Sequence, residues 1–147
     1  MLDESDLERY ASQLIMPEIE EEGQSILLKS KVLIIGAGGL GNPTAIFCSA
    51  AGIGNIDICD HDNIELSNLN RQIAFSINNI GLSKSTKLKD YCLNLNPNLK
   101  IKSFISFISD GFLTKLSAIQ STPAVKPNSR SSLSLSVNAL TDNCTSG

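Results

Sequence analysis

The sequence predicts an α/β fold with a mostly parallel sheet, and three consecutive features support that prediction. A short apolar run, Val32–Ile35, is typical of a strand that is buried on both faces. It leads into a glycine-rich turn, Gly36–Gly41, that opens a helix, and a second apolar run, Ile56–Cys59, ends on Asp60. This order forms a βαβ unit with a right-handed crossover, so we expect a Rossmann-like nucleotide-binding fold.

A helical segment is expected ahead of the first strand. Ser5–Glu8 has the pattern of a capping box, and apolar residues recur at helical spacing between Leu7 and Leu14. A second helix is predicted from about Glu20 to Leu28, with Ile26 and Leu27 facing inward. The sequence thus places two helices before the sheet begins.

Two more helices and a strand follow from local signals. The helix after the glycine turn begins near Pro43 and ends at Gly52. Ser83 is a candidate N-cap for the next helix, and a third strand is expected over Leu99–Ile108. The apolar stripe of that Ser83-capped helix is formed by Leu88, Tyr91, Cys92 and Leu95.

The regular pattern ends at about residue 110. Residues 1–110 form a partial nucleotide-binding domain in this interpretation, because turn, capping and periodicity signals agree there. Residues 111–147 are serine-rich and irregular, without a helix–strand repeat that would complete the sheet. We therefore expect the C-terminal part of the fold to be incomplete, as in a truncated or frame-shifted chain.

Composition restricts the class of protein. A net charge of −3 argues against a broad nucleic-acid-binding face, and no apolar run approaches the ~20 residues that span a bilayer. The four cysteines form no Cys-x-x-Cys pair, so no zinc site is visible. The acidic N-terminus does not resemble a secretory signal, and a reduced, cytoplasmic location is expected.

The glycine turn has the chemistry of a phosphate site. Gly36 permits a tight turn out of the strand, Gly38 and Gly39 leave room for a ligand near the backbone, and Gly41 lets the helix approach the strand. The free N–H groups and dipole of the helix N-terminus attract phosphate. Asp60 is placed to accept hydrogen bonds from ribose hydroxyls.

Two cations favour a triphosphate over a dinucleotide. Arg71 and Lys84 both follow Asp60 on the loop side of the predicted sheet, and an arginine binds phosphate through a bidentate fork. Solvent-exposed cations with no ligand remain the alternative for both. Asp62 is a candidate metal ligand or turn cap, and His61 is expected to be an exposed loop residue.

Five motifs together resemble the ThiF/MoeB/HesA family of ubiquitin-activating-type adenylyltransferases, over about Leu7–Ile101. They are RYASQLI, KVLIIGAGGLGNP, DHDNIELSNLNRQ, GLSKS and LNPN. The resemblance implies ATP-dependent adenylation, with Mg2+, of the C-terminal glycine carboxylate of a ubiquitin-like sulfur-carrier protein that ends in Gly-Gly. It also implies a homodimer. It does not choose among thiamine, molybdopterin and tRNA-thiolation pathways.

The same resemblance assigns site residues by motif. Gly39 lies against the nucleotide and Asp60 contacts the ribose. Arg71 and Lys84 are the catalytic cations, which neutralise phosphate charge, and Gln72 forms part of the site wall. The ATP site is also lined by Ser67, Asn68, Leu69, Asn70 and Arg71.

The chain departs from the family pattern at three points. Ser12 stands where many members have an arginine that reaches a neighbouring subunit's ATP. The magnesium-binding aspartate of an Asp-Asn pair has only Asp142 as a candidate, later than the usual spacing, and Cys144 matches no catalytic-cysteine motif. A fragment with reduced or no activity is therefore expected. A non-catalytic nucleotide-binding or dimerisation module, and an NAD- or FAD-dependent oxidoreductase, stay open as alternatives.

Overall fold

Residues 2–105 are described by the computed structural model, and they form a parallel sheet with helices on it. The elements are α1 (Glu4–Arg9), α2 (Ala11–Leu14), α3 (Glu20–Lys29), β1 (Lys31–Ile35), α4 (Gly41–Ala51), β2 (Asn55–Cys59), α5 (Lys84–Leu95) and β3 (Lys100–Phe104). Two short 3-10 turns, Leu66–Asn68 and Ile77–Asn79, lie between β2 and α5. Across these residues no helix is long and apolar enough to cross a membrane.

The sheet has the order β1-β2-β3, and both strand pairs are parallel. Val32 pairs with Ile56, which in turn pairs with Ile101, so all three side chains share one face of the sheet. The β1–α4–β2 unit and the third parallel strand confirm the predicted Rossmann-like α/β fold. Because the strands are parallel and in register, their carboxyl ends meet at one edge, where the glycine turn and Asp60 follow β1 and β2.

The apolar core forms where α4 and α5 pack on each other and on one face of the sheet. Ile56, Ile58 and Leu88 are completely buried. A fully buried side chain of this size contributes about 1.5–3 kcal/mol. The core cluster consists of Ile34, Ala37, Ala45, Ile56, Ile58, Ile64, Phe75, Leu88, Cys92, Leu99 and Ile101.

Two of the predicted details of the N-terminal helices were wrong. The cap of α1 is Asp3, whose carboxylate accepts the Asp6 N–H at 2.8 Å, so the capping box begins two residues before Ser5. Ile26 is 56% exposed, and the buried residue of α3 is Gln24. Ile26 was expected to face inward because it is hydrophobic, whereas the buried side of α3 is held by hydrogen bonds of Gln24.

Exposure also differs along β1 and α5. On β1 only Ile34 is buried, because β1 has a single strand neighbour within residues 2–105. On α5, Leu88 and Cys92 are buried, while Tyr91 and Leu95 are each 38% exposed. Residues i and i+4 share a helix face, so the core contact of α5 is narrower than the predicted four-residue stripe.

Buried hydrogen bonds join the N-terminal helices to the C-terminal ends of α4 and α5. Asn96 Nδ2 donates to Tyr10 Oη at 3.0 Å and to the Ser49 carbonyl at 3.1 Å. Gln24 Nε2 donates to the Ala51 carbonyl at 3.1 Å, and Gln13 Nε2 donates to the same oxygen at 3.3 Å. These carboxamides satisfy the last carbonyls of α4, which an α-helix leaves unpaired.

Replacement of Asn96 with alanine is expected to lower the free energy of unfolding by about 1–3 kcal/mol, because two buried oxygens lose their donor. Urea denaturation of the full chain measures the change. Asn94→Ala, at an exposed position of the same helix, is the matched control. Equal midpoints for the two variants would contradict a stabilising role for this network.

Candidate functional site

The glycine turn between β1 and α4 disfavours side chains at two positions, Gly36 because of its backbone conformation and Gly41 because of a close approach. Gly36 has φ +86°, in the left-handed region that favours glycine, and its N–H donates to the Cys59 carbonyl at 2.8 Å. A Cβ on Gly41 would lie 1.7 Å from the Gly36 carbonyl oxygen. The turn therefore closes on itself, which brings the start of α4 close to the end of β1.

The middle of the turn faces the segment that contains Arg71. A Cβ on Gly39 would lie 3.5 Å from Arg71 Cδ, and one on Gly38 would lie 4.0 Å from Gln72 Nε2. Both are ordinary van der Waals distances. The missing side chains thus leave a surface of bare backbone beside the guanidinium of Arg71, as a site for a phosphate requires.

The Arg71 segment, residues 66–74, is shaped by its own hydrogen bonds. Asn68 Oδ1 accepts the Glu65 N–H at 3.0 Å, which anchors the 3-10 turn. Arg71 Nη1 donates to the Ser67 carbonyl at 3.0 Å and to Asn70 Oδ1 at 2.9 Å. These bonds orient an exposed guanidinium over Gly39.

Asp60 connects the glycine turn to the loop after β2. Its Oδ2 accepts the Ala37 N–H at 2.5 Å and its Oδ1 accepts the Asp62 N–H at 2.7 Å. The residue is 8% exposed, so a small part of the carboxylate remains accessible. Two bonds to backbone fix its orientation before any ligand arrives.

Lys84 lies at the start of α5 and contacts the same loop. Its Nζ donates to Asp62 Oδ2 at 2.9 Å, and its backbone N–H donates to the Asp62 carbonyl at 3.0 Å. Ser85 Oγ donates to the Asp60 carbonyl at 3.2 Å. The hydrogen bond from Lys84 holds the pKa of Asp62 below its ordinary value.

The lowered pKa of Asp62 predicts a specific dependence of stability on pH. The ion pair contributes fully above the ordinary aspartate pKa of about 3.9 and is lost as the pH falls through the lower pKa of the folded state. The difference in unfolding free energy between wild type and Asp62→Asn should therefore be present above about pH 4 and shrink as the pH falls further. It should be at most about 1 kcal/mol, because the carboxylate is half exposed. Asp90→Asn is the control, and a difference that grows on acidification would contradict the prediction.

Asp60, His61 and Asp62 are the described residues whose ligand atoms could hold a metal ion, since these atoms lie within 4.8 Å of one another. Both oxygens of Asp60 already accept backbone N–H groups. The oxygens of Asp62 contact Lys84 at 2.9 Å and His61 at 3.1 Å. The Lys84 ammonium already neutralises Asp62 and repels a second cation, which disfavours a magnesium ion at this cluster.

The structure brings most of the predicted site residues to one edge of the sheet. Arg71 lies beside Gly39, Asp60 accepts a hydrogen bond from the glycine turn, and Lys84 pairs with Asp62 in the loop after β2. Ser67, Asn68 and Asn70 support the Arg71 segment, whereas Leu69 packs against the core. Residues 110–147, including the candidate magnesium ligand Asp142, lie outside the described residues.

One residue of this region was missed by sequence reasoning. Asn42 is completely buried in the first turn of α4, and its Oδ1 accepts the Ala74 N–H at 3.1 Å. The available signal was a lone amide between Gly41 and Pro43, at the start of an otherwise apolar helix. Gln72, expected only as part of the site wall, is 2% exposed.

The sequence is similar to those of known proteins. The model of the ThiF family matches residues 10–127. A probable molybdopterin-synthase adenylyltransferase of Porphyra purpurea is 48% identical over 96 residues, which are 65% of this chain and 25% of that protein. The adenylyltransferase and sulfurtransferase MOCS3 of Dictyostelium discoideum is 45% identical over 100 residues, 68% of this chain and 24% of that protein. The chain thus spans about a quarter of the length of these curated relatives.

A solved structure adds a ligand to the comparison. The crystal structure of E. coli MccB with ATP superposes with a TM-score of 0.61 at 35% identity. The superposition covers 63% of this chain and 28% of MccB.

Proposed function

This chain belongs to the ThiF family, and from that premise we propose that it binds ATP and takes part in adenylating a carboxylate. The observation that supports the proposal best is the position of Arg71 beside Gly39, with its Cδ 3.5 Å from where a Cβ on Gly39 would lie. It places a cation beside bare backbone at the N-terminus of α4, where the helix dipole also favours negative charge. A neighbouring acid, Asp60, is oriented to accept ribose hydroxyls.

The proposed reaction is nucleotidyl transfer. A carboxylate oxygen of the substrate attacks the α-phosphorus of ATP and forms an acyl-phosphate bond, while the bond from that phosphorus to the bridging oxygen breaks and pyrophosphate leaves. Arg71 and Lys84 stabilise the charge that develops on the phosphate oxygens, and the glycine turn positions the nucleotide. Catalysis of this kind needs positioning and charge rather than a protein nucleophile.

We propose a ubiquitin-like sulfur carrier ending in Gly-Gly as the acceptor of the adenylyl group. Support comes from the names of the relatives, one a molybdopterin-synthase adenylyltransferase and the other an adenylyltransferase and sulfurtransferase. MccB, solved with ATP, supports the choice of nucleotide. Magnesium is expected to accompany ATP, and its proposed protein ligand, Asp142, lies outside the described residues.

Exchange of labelled pyrophosphate into ATP tests this proposal with the full chain. Exchange is expected only when ATP, magnesium and a carrier ending in Gly-Gly are all present, because the acyl adenylate must form before pyrophosphate can return. A carrier without its last glycine is the control. ATP binding without exchange would favour a non-catalytic nucleotide-binding module, and stabilisation by NAD but not by ATP would overturn the proposal.

A further inference from the structure

Two buried carboxamides beside the glycine turn have unused hydrogen-bonding atoms. Asn42 is 0% exposed and Gln72 is 2% exposed. Among the residues that the structure describes, Asn42 Nδ2 and Gln72 Oε1 have no hydrogen-bond partner. One atom is a donor and the other an acceptor, so the two groups complement each other chemically. An unpaired buried polar atom lowers the stability of the fold. Two of them at a candidate site therefore suggest that they gain a partner in another state of the protein.

Both side chains connect the glycine turn to the Arg71 segment. Asn42 donates its backbone N–H to the Gly38 carbonyl at 2.9 Å, while its Oδ1 accepts the Ala74 N–H at 3.1 Å. Gln72 Nε2 lies 4.0 Å from the position that a Cβ on Gly38 would occupy. The unpaired donor and the unpaired acceptor therefore belong to two side chains that each lie where the glycine turn meets the Arg71 segment.

We infer that Asn42 and Gln72 are positioning residues, which pair through Nδ2 and Oε1 when a nucleotide draws the glycine turn and the Arg71 segment together. The inference rests on the proposed function. A ligand that contacts both segments gains this hydrogen bond in addition to its own contacts, since a bond formed only in the bound state adds to affinity. The pair thereby couples the backbone that holds phosphate to the cation that neutralises it.

A double-mutant cycle on the full chain tests the inference. ATP affinity is measured by calorimetry for wild type, Asn42→Ala, Gln72→Met and the double variant, well below each unfolding midpoint. Each single variant should lose affinity by about fivefold or more, and the double variant should lose little beyond either one, because both remove the same bond. Asn42→Ser, which keeps an oxygen able to accept the Ala74 N–H, is the second variant should the alanine variant not fold.

A structural control separates positioning from simple loss of stability. Asn96→Ala also removes a buried carboxamide, but this one contacts Tyr10 and Ser49 rather than the glycine turn. The variant should lower the unfolding midpoint without changing ATP affinity. The inference would be overturned if the fold-losses of ATP affinity at Asn42 and Gln72 multiplied in the double variant, as for independent sites. It would also be overturned if neither single variant lost affinity. Failure of wild type to bind ATP would instead overturn the proposed function.

Discussion

Replacement of Arg71 with alanine is expected to reduce ATP–pyrophosphate exchange by about 100- to 1000-fold, the usual cost of removing one oriented donor from a charge-stabilising site. The guanidinium is held by Ser67 and Asn70 against Gly39, so its direction is set before the nucleotide binds. Alanine removes both the charge and this orientation. Affinity for ATP should fall less than exchange, because charge on the phosphate oxygens grows during attack.

The matched control for this variant is Arg9→Ala. Arg9 is also exposed, and its Nη1 donates to a backbone carbonyl, that of Leu95, at 3.1 Å. Both variants change the net charge by one unit and remove one hydrogen bond to a backbone carbonyl. Arg9, however, lies on α1 and not beside the glycine turn. Equal exchange rates for the two variants would show that Arg71 does not act on the phosphates.

Gly41→Ala is expected to destabilise the fold by more than about 4 kcal/mol, which is a large part of the marginal stability of a domain. A Cβ at this position would lie 1.7 Å from the Gly36 carbonyl oxygen, and the obstacle is backbone rather than a flexible side chain. The turn must open, which separates α4 from β1. The unfolding midpoint in urea and the recovery of soluble protein measure the effect.

Gly39→Ala is the comparison that isolates sterics within the turn. Its added Cβ would meet only Arg71, at the ordinary distance of 3.5 Å, so the variant should fold like wild type. It should nevertheless bind ATP more weakly, because the new methyl group occupies the backbone surface beside Arg71. Similar stability for Gly41→Ala and Gly39→Ala would contradict the close approach described for Gly36 and Gly41.

The βαβ unit was predictable because its signals are local. An apolar run, a glycine turn and an acid after the next strand follow one another within 30 residues, and each has a physical reason for its place. The parallel register then brings Asp60 to the same edge as the turn. The position of Arg71 beside Gly39 was predictable only in outline, as a cation on the loop side of the sheet, because the path from Asp60 to Arg71 is irregular and built from short turns.

Buried polar residues were the part that the sequence could not indicate. Gln24 and Asn42 are completely buried although their residue type is usually exposed. Each is buried because a specific backbone group, the Ala51 carbonyl or the Ala74 N–H, needs a partner. These backbone groups come into reach only when segments that are distant in sequence meet in the fold. Hydropathy alone therefore predicted that Ile26 would be buried on α3, whereas the structure buries Gln24.

The ion pair of Lys84 with Asp62 has a consequence for selectivity among anions. A phosphate that approaches Lys84 competes for its charge with a carboxylate of the same chain, 22 residues away and held at 2.9 Å. Such a tethered competitor acts at an effective concentration of millimolar order or above. A small free anion, with one point of attachment, competes poorly against it. A nucleotide would also contact Arg71 and the glycine turn, so we expect the Lys84–Asp62 ion pair to favour a nucleotide over a simple anion at this site.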